Sequence, residues 1–235
     1  TNVFVEGIDQ TGEGLSIKLK DKPPVACDKA LVCIGRKLVS EGLGLEMAGV
    51  KVGEKGAIPV NEKMETNVPG IYAIGDVTGR FLLAHVASHQ GIIAAANAIG
   101  QEANMHYNAV PAVIFTSPEM ATVGMTLEEA QKAGFSATTG KFPFQALGKS
   151  IATIETEGFA QIVSDTKTGQ ILGAQVLGHD AATLIAEMAL AIANELTVEC
   201  VADTIHAHPT VAEAWMEAAL LANDTPIHFP PKIKK

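Results

Sequence analysis

The amino-acid sequence predicts an α/β fragment followed by an α+β domain in which helices flank an antiparallel sheet. Two observations support this division. In the first part, apolar runs at residues 30–34 and 71–74 predict buried strands, and a helical pattern follows the second run. In the second part, strand patterns come first and helical patterns follow without alternating, which is typical of helices packed on an antiparallel sheet.

Composition excludes several classes of partner. The chain has 235 residues, of which 47% are hydrophobic and 18% charged, so it can bury one large or two small cores. Its net charge of −9 argues against nucleic acid, because phosphate binding requires Lys and Arg gathered on one face. No apolar run approaches the ~20 residues of a membrane span, and no secretory leader is expected. We therefore expect a soluble protein without nucleic-acid or membrane partners.

The three cysteines indicate a reducing compartment. Cys27, Cys33 and Cys200 form no disulfide framework, which favours the bacterial cytoplasm or, alternatively, the mitochondrial matrix. Cys27 and Cys33 lack redox-motif spacing, and Cys33 lies in an apolar run. They are predicted to be buried structural thiols.

Two strands predicted in the first part end in residues that are candidates for contacting a ligand. Residues 3–8 and 15–20 predict a hairpin around a Gly-rich turn, and residues 29–36 predict a strand that ends near Gly35. Such a glycine permits close approach of a ligand, although most belong to turns. The strand at residues 71–76 ends in Gly75 and Asp76. A carboxylate there suits a ribose or ribitol hydroxyl, or alternatively caps a turn.

A helix is predicted at residues 83–99, where it is stopped by Gly100. Val86, His89, Ile93 and Ala96 recur at helical spacing. The free amides at the helix start can stabilise an anion. His85 and His89 have the i, i+4 spacing of metal ligands, but no third ligand is evident, so no metal is expected.

The second part contains the clearest local signals. Residues 126–129 predict a capping box for a short helix that ends at Gly134. The other predicted elements are a strand at 110–115, a hairpin of 158–164 with 171–178, and helices at 181–196, 198–203 (capped by Thr197) and 211–223. Trp215 is expected to serve packing, and the tail 226–235 to be loose or extended over a neighbouring surface.

The segment 206–213 carries the strongest candidate for catalysis. Pro209 biases His208 away from the helical region, so the imidazole lies on a rigid corner before a helix. Glu213, in the first helical turn, can fold back to orient the ring and raise its basicity. Alternatively, Thr210 and Glu213 form only a capping box.

His-Ala-His-Pro-Thr followed by Glu resembles the active-site motif of the flavin-dependent pyridine nucleotide-disulfide oxidoreductases. Four motifs in the same order are more specific than any one of them. The other three that resemble this family are Ile34-Gly35-Arg36, Tyr72-Ala73-Ile74-Gly75-Asp76 followed by Ala84-His85, and Thr116-Ser117-Pro118-Glu119. Leu38 and Leu82 depart from the family, which often has Pro and Met there.

The resemblance implies three regions and their ligands. Residues 1–38 correspond to the end of an NAD-binding domain, 39–106 to a central FAD-contacting segment and 107–235 to an interface, or dimerisation, domain. The implied cofactor contacts are Ile34, Gly35 and Arg36 for NAD, Gly75, Asp76, Leu82, Leu83, Ala84 and His85 for FAD, and His208 with Pro209 for the flavin of the partner subunit.

The implied reaction passes electrons from dihydrolipoamide through a disulfide and FAD to NAD+. His208 would accept the thiol proton in a homodimer, Glu213 would hold its imidazole, and His206 would be structural. The implied partners are the lipoyl domain of an acyltransferase, as substrate, and its basic subunit-binding domain. A cis His208–Pro209 peptide is also expected.

Two parts of the family's machinery are missing, namely a Gly-x-Gly-x-x-Gly loop and a closely spaced cysteine pair. A strand pattern is already under way near Thr1. We therefore expect the C-terminal half of a longer enzyme, inactive alone. The alternatives are a disulfide reductase of the glutathione or mercuric type, or a non-catalytic dimerisation or subunit-binding module. The absence of a vicinal cysteine pair in the tail argues against the mercuric type, and the preceding His-Ala against the glutathione type.

Overall fold

The chain begins with a small antiparallel sheet. The computed structural model describes residues 1–230. Its first sheet has the order β1-β2-β3, with β1 at Val5–Thr11, β2 at Gly14–Leu19 and β3 at Lys22–Cys27. The predicted hairpin of the first two strands is confirmed, since Thr11 pairs with Gly14 across a tight turn. The third strand was not predicted.

The predicted strand at residues 29–36 is wrong, because this segment has no regular secondary structure. Leu31 is 88% exposed and Ile34 is 95% exposed. Cys33 is exposed and Cys27 only half-buried, so the prediction of buried thiols is also wrong. An apolar segment becomes a buried strand only where a neighbour pairs its backbone and covers its side chains. Among residues 1–230, no strand pairs with this segment.

The central segment has two small apolar clusters around one helix. Helix α1 spans Ala84–Ala98 and is followed by Gly100 at φ +83°, which confirms the predicted helix and its stop. His89, which recurs with three apolar residues at helical spacing, is exposed. One cluster contains Met64, Val86, Ile93, Ala94 and Met105, and the other Val50, Ile58 and Ala73.

The predicted strand at residues 71–76 is also wrong. Only Tyr72 makes a ladder contact, a single bridge to Glu65. The chain then turns into a 3₁₀ helix at Gly75–Thr78. Gly75 has φ +74°, and the hydroxyl of Thr78 donates to its carbonyl at 2.8 Å. This local turn replaces the extended backbone that the apolar run predicted.

The second part contains the predicted antiparallel sheet flanked by helices. Its five strands lie in the order β4-β5-β8-β7-β6, and every neighbouring pair is antiparallel. The strands are β4 at Ala112–Ile114, β5 at Glu119–Gly124, β6 at Ala137–Pro143, β7 at Phe159–Asp165 and β8 at Ile171–Gly178. The β7–β8 hairpin is confirmed.

Short helices α2 at Leu127–Lys132 and α3 at Gly148–Thr153 connect the strands. The predicted capping box of α2 is confirmed, because Thr126 and Glu129 exchange side-chain to backbone hydrogen bonds. Thr197 does start the next helix, α5 at Val198–Ala202, but its side chain makes no capping hydrogen bond. That predicted cap is therefore wrong, since the Thr197 hydroxyl lies 3.6 Å from Cys200 Sγ instead.

Two longer helices cover the sheet and form the largest core. Helix α4 at Ala181–Ala193 packs on β5 and β8, and α6 at Glu213–Ala222 packs on β6 and β7. Trp215 is fully buried, and its indole N–H donates to the carbonyl of Leu184 at 3.0 Å, which confirms its packing role. Burial of ~200 Å² of such a side chain stabilises the domain by roughly 5 kcal/mol.

The sequence also predicts an apolar stripe on α4, and four of its five positions are buried, namely Leu184, Ile185, Met188 and Ile192. Leu196 lies beyond the end of α4 and is 36% exposed. In the tail, Phe229 packs edge-on against Phe142, so the chain is held against this domain at least that far. The tail that was predicted to be loose or extended over a neighbouring surface also includes residues 231–235, which lie outside the described residues. Among residues 1–230, every helix is too short or too polar to span a bilayer.

Candidate active site

The corner before α6 presents one imidazole to the surface. The His208–Pro209 peptide is cis, as expected, and α6 begins four residues later at Glu213. Helix α3 approaches from the β6–β7 connection, and a Cβ built on Gly148 would lie 3.8 Å from His208 Cε1. The corner, the start of α6 and helix α3 therefore meet at this ring.

Glu213 binds both the imidazole of His208 and a backbone N–H, but the capping box with Thr210 does not form. Its Oε1 accepts a hydrogen bond from His208 Nδ1 at 2.8 Å, while its Oε2 accepts from the backbone N–H of Thr210 at 2.9 Å. The hydroxyl of Thr210 donates to the carbonyl of Ala207 and so does not complete a capping box. One carboxylate thus fixes the helix start and the imidazole together.

The electrostatics keep Glu213 ionised. Burial raises the pKa of its carboxyl, but the hydrogen bonds from Thr210 and His208, with the nearby charges of His208 and His228, outweigh burial and lower the pKa below its ordinary value. A carboxylate acceptor at Nδ1 places the ring proton there, so the neutral imidazole has a free lone pair at Nε2. The Glu213 side chain is 11% exposed and that of His208 is 73% exposed. Within residues 1–230, His208 Nε2 has no hydrogen-bond partner, so the ring offers an accessible base.

His206 is placed differently. Its side chain is only 5% exposed, with Nδ1 2.9 Å from the carbonyl of Thr204 and Nε2 3.0 Å from Glu187 Oε1. The hydrogen bond to Glu187 raises the pKa of His206 above its ordinary value. This pair ties the corner to α4, which fits the structural role predicted for His206.

A second imidazole–carboxylate pair on α6 was missed. Glu217, one turn after Glu213, is buried and accepts a hydrogen bond from His228 Nδ1 at 2.7 Å. The i, i+4 spacing of the two glutamates along the predicted helix was the only signal in the sequence.

Two of the predicted cofactor residues of the first part are in direct contact. Arg36 forms an ion pair with Asp76 at 2.8 Å, although the two were predicted to contact different cofactors. Buried Gln90, which was not predicted, accepts from the N–H of Gly75 at 2.7 Å and donates to the hydroxyl of Tyr107 at 2.8 Å. Its position one helical turn after Val86, on the buried face of α1, is the signal that could have identified it.

The start of α1 has free amides, as predicted. Its N-cap residue Leu83 has an extended backbone, and no side chain caps the first turn. Leu82 is half-buried, whereas Ala84 and His85 are exposed. The ring of His85 is hydrogen-bonded to the carbonyl of Pro111 at 2.9 Å. In the described part of the chain, no three His, Cys, Asp or Glu side chains converge as metal ligands.

The structure does not join the two sets of predicted site residues. Ile34 and Gly35 lie in the exposed segment before Arg36, with Gly35 at φ +125°. Among residues 1–230, no hydrogen bond or ion pair links this segment or Asp76 to the corner of His208. Each of the two sets is held by its own local contacts, Arg36 with Asp76 in one and Glu213 with His208 in the other.

Comparisons with known proteins match both parts of the chain. The profile described as "Pyridine nucleotide-disulphide oxidoreductase" matches residues 1–91, and that described as "Pyridine nucleotide-disulphide oxidoreductase, dimerisation domain" matches residues 110–219. A dihydrolipoyl dehydrogenase of Chlamydia pneumoniae is 51% identical over 232 residues, which are 99% of this chain and 50% of that protein. A dihydrolipoyl dehydrogenase of Thermus scotoductus is 45% identical over 234 residues, which cover 97% of this chain and 50% of that protein.

Solved structures agree with the sequence relatives. LpdA from Mycobacterium tuberculosis superposes with a TM-score of 0.87 at 32% identity, covering 93% of this chain and 48% of its own. The flavoprotein disulfide reductase RclA from Escherichia coli superposes with a TM-score of 0.86 at 27% identity. The superposition covers 94% of this chain and 50% of the RclA chain. The chain spans about half the length of the relatives it matches. It belongs to the pyridine nucleotide-disulphide oxidoreductase family and includes that family's dimerisation domain.

Proposed function

We propose that this chain is the C-terminal half of a dihydrolipoyl dehydrogenase, also called dihydrolipoamide dehydrogenase, an FAD- and NAD-dependent oxidoreductase. The observation that carries the proposal is the pair of His208 and Glu213. An ionised, mostly buried carboxylate holds Nδ1 at 2.8 Å, and the exposed ring offers Nε2 as a base. The dihydrolipoyl dehydrogenases among the relatives support this choice of activity.

His208 Nε2 is the proton acceptor of this chain in the proposed reaction. A dihydrolipoamide thiol must lose its proton before its sulfur can attack a disulfide, because the thiolate is the nucleophile. Over the whole reaction the dithiol loses two electrons and two protons. NAD+ takes two electrons and one proton as hydride, and the second proton leaves to solvent. Glu213 stabilises the imidazolium that forms when Nε2 is protonated.

The first part of the chain fits the two cofactors. Asp76 Oδ1, which has no hydrogen-bond partner among residues 1–230, is suited to accept from a ribitol hydroxyl of FAD. The uncapped amides at Leu83, Ala84 and His85, beside Leu82, suit the negative edge of a flavin. Bound FAD supplies a two-electron carrier. Gly75 carries the turn that presents Asp76. The exposed Ile34, Gly35 and Arg36 segment would contact NAD.

A homodimer would complete the site. His208 and Pro209 would face the flavin and redox disulfide of the partner subunit. Support comes from the outward Nε2 and from the dimerisation-domain match at residues 110–219. The proposed substrate is the lipoyl domain of an acyltransferase, and the charge of −9 suits that protein's basic subunit-binding domain. The three free thiols suit a reducing compartment such as the bacterial cytoplasm.

A second candidate is a different disulfide reductase of the family, favoured by the likeness to the reductase RclA. A substrate comparison decides between the two activities. The full-length protein should oxidise dihydrolipoamide with NAD+ and show little reduction of glutathione disulfide or of mercuric ion. Faster turnover with either of those acceptors would favour the second candidate.

The role of His208 is tested by His208→Gln in the full-length protein. We expect dihydrolipoamide turnover to fall by about 10²–10⁴-fold, the usual contribution of a general base. NADH oxidation by a one-electron dye, which needs no thiol deprotonation, should persist. His179→Gln is the matched control, because His179 is 48% exposed and also lies close to a carboxylate, with its Nε2 3.4 Å from Asp180 Oδ2. Unchanged dihydrolipoamide turnover in His208→Gln would refute the assignment.

A further inference from the structure

A buried side-chain amide joins the turn of Asp76 to the entry of the dimerisation domain. Gln90 on α1 is fully buried, and its Oε1 accepts a hydrogen bond from the N–H of Gly75 at 2.7 Å. Its Nε2 donates to the hydroxyl of Tyr107 at 2.8 Å. One side chain therefore connects two segments through hydrogen bonds, which have a direction that apolar packing lacks.

The hydrogen bond at Gly75 fixes the turn that presents Asp76. Gly75 is buried and has φ +74°, and a Cβ built on it would lie 3.3 Å from the Cβ of Ala87 on α1. Without Gln90, the N–H of Gly75 would be left as a buried donor, which folded proteins avoid. The turn therefore keeps its place against α1 through Gln90.

Tyr107 is held by the loop that follows the turn. The ring of Phe81 stacks on the ring of Tyr107 with 5.2 Å between their centroids, and the guanidinium carbon of Arg80 lies 3.9 Å from the centroid of the same ring. The hydroxyl of Tyr107 also donates to Met64, with 3.9 Å between Oη and Sδ. Because stacking and cation–π contacts fix the ring, the hydroxyl that accepts from Gln90 has a defined position.

Helix α1 is a firm support for this connection. Near its start, the ring of His85 is hydrogen-bonded to the carbonyl of Pro111 at 2.9 Å. Val86 packs in one apolar cluster with Val110 and Tyr107, so burial also holds the helix. Loss of the Gln90 amide would therefore release the turn and leave the helix in place.

We propose that Gln90 and Tyr107 are positioning residues for FAD binding, which act by holding Asp76 where the cofactor needs it. Asp76 is partly exposed, and its Oδ2 is held by Arg36 at 2.8 Å. A carboxylate on a preorganised turn binds more tightly, because the ligand does not have to order it. The inference rests on the proposed function, in which Asp76 contacts FAD.

The test measures the affinity of the full-length protein for FAD after its flavin has been removed, by titration of flavin fluorescence. Gln90→Met keeps the length of the side chain and removes both hydrogen bonds, and FAD should bind about tenfold more weakly. Tyr107→Phe removes only the hydroxyl, so the loss should be about threefold. This milder variant tests the inference even if Gln90→Met does not fold. Unchanged FAD affinity in the folded variants would overturn the inference.

Asn97→Leu is the matched control for a role in stability alone. Asn97 is a half-buried amide on the same helix, and it donates to the carbonyls of Lys63 and Ala103. Among residues 1–230, none of its hydrogen bonds reaches the turn of Asp76. Asn97→Leu should lower the free energy of unfolding in urea and leave FAD affinity within about twofold. A loss of affinity equal to that of Gln90→Met would indicate general loosening of the helix and would overturn the inference.

A double-mutant cycle shows whether Gln90 acts through Asp76. Asp76→Asn should itself weaken FAD binding about tenfold, because an amide oxygen accepts from a hydroxyl less strongly than a carboxylate does. In the Asp76→Asn background, Gln90→Met should weaken binding by no more than about threefold, since the group that it places is already impaired. A further tenfold loss there would show that the two residues act independently and would contradict the inference. The proposed function fails separately, if the wild-type full-length protein binds no FAD.

Discussion

Replacing Glu213 by Gln separates its two hydrogen bonds from its charge. The amide has one acceptor oxygen, whereas the carboxylate serves both His208 Nδ1 at 2.8 Å and the N–H of Thr210 at 2.9 Å. The amide NH₂ group must then face one of these two donors. Glu213→Gln therefore removes the charge that stabilises the protonated ring and leaves one donor without its acceptor.

The expected loss follows from the exposure of the pair. A hydrogen bond to a charged group contributes about 1.5–3 kcal/mol, and the 73% exposed ring of His208 places this one at the lower end of that range. A loss of about 1.5 kcal/mol lowers kcat/KM for dihydrolipoamide roughly tenfold.

The assay is steady-state NADH formation by the full-length enzyme across the pH range in which imidazoles titrate. Glu199→Gln is the matched control, since Glu199 lies on neighbouring α5, also has a lowered pKa, and contacts Asn223 but no imidazole. It should stay within about twofold of the wild type. If Glu213→Gln also stayed within about twofold while His208→Gln lost activity, Glu213 would serve only to hold the backbone N–H of Thr210 before α6.

Three further outcomes follow from the packing of the dimerisation domain. Gly140→Ala would place a Cβ 1.9 Å from a backbone oxygen of α6 and should destabilise the chain by about 3 kcal/mol in urea unfolding, whereas Gly7→Ala, with its nearest neighbour at 4.0 Å, should cost about 1 kcal/mol or less. Trp215→Phe should cost about 2 kcal/mol by the same method, because the indole hydrogen bond and part of the buried ring are lost. Because its hydrogen bond to Glu187 raises the pKa of His206 above 6.5, this pair stabilises the fold below that pH, and the contribution is lost as pH rises through the raised pKa. The difference in unfolding free energy between wild type and His206→Gln should therefore shrink as the pH rises, and a constant difference would contradict this.

Local patterns predicted most of the dimerisation domain. The capping box at Thr126, the β7–β8 hairpin and the apolar stripe of α4 depend on residues within a few positions of one another, so the sequence alone specifies them. The contact of His208 with Glu213 was predictable for the same reason, because only five residues separate the two.

Failures arose where the outcome depends on distant residues. Residues 29–36 have the composition of a buried strand, but no described strand pairs with them. Gln90 supports Gly75 from fifteen residues away, and His228 returns to Glu217 from eleven. Such contacts depend on the tertiary path of the chain, which periodicity does not reveal.

The most direct test of the central claim uses mixed dimers of the full-length enzyme. One subunit carries His208→Gln, and the other lacks the redox-active cysteines that the proposed N-terminal half supplies; each variant alone should be inactive. If His208 serves the disulfide of the partner subunit, one of the two sites in each mixed dimer is intact, and random reassociation restores about a quarter of the wild-type activity. An inactive mixture, with mixed dimers demonstrably formed, would show that His208 does not act across the subunit interface.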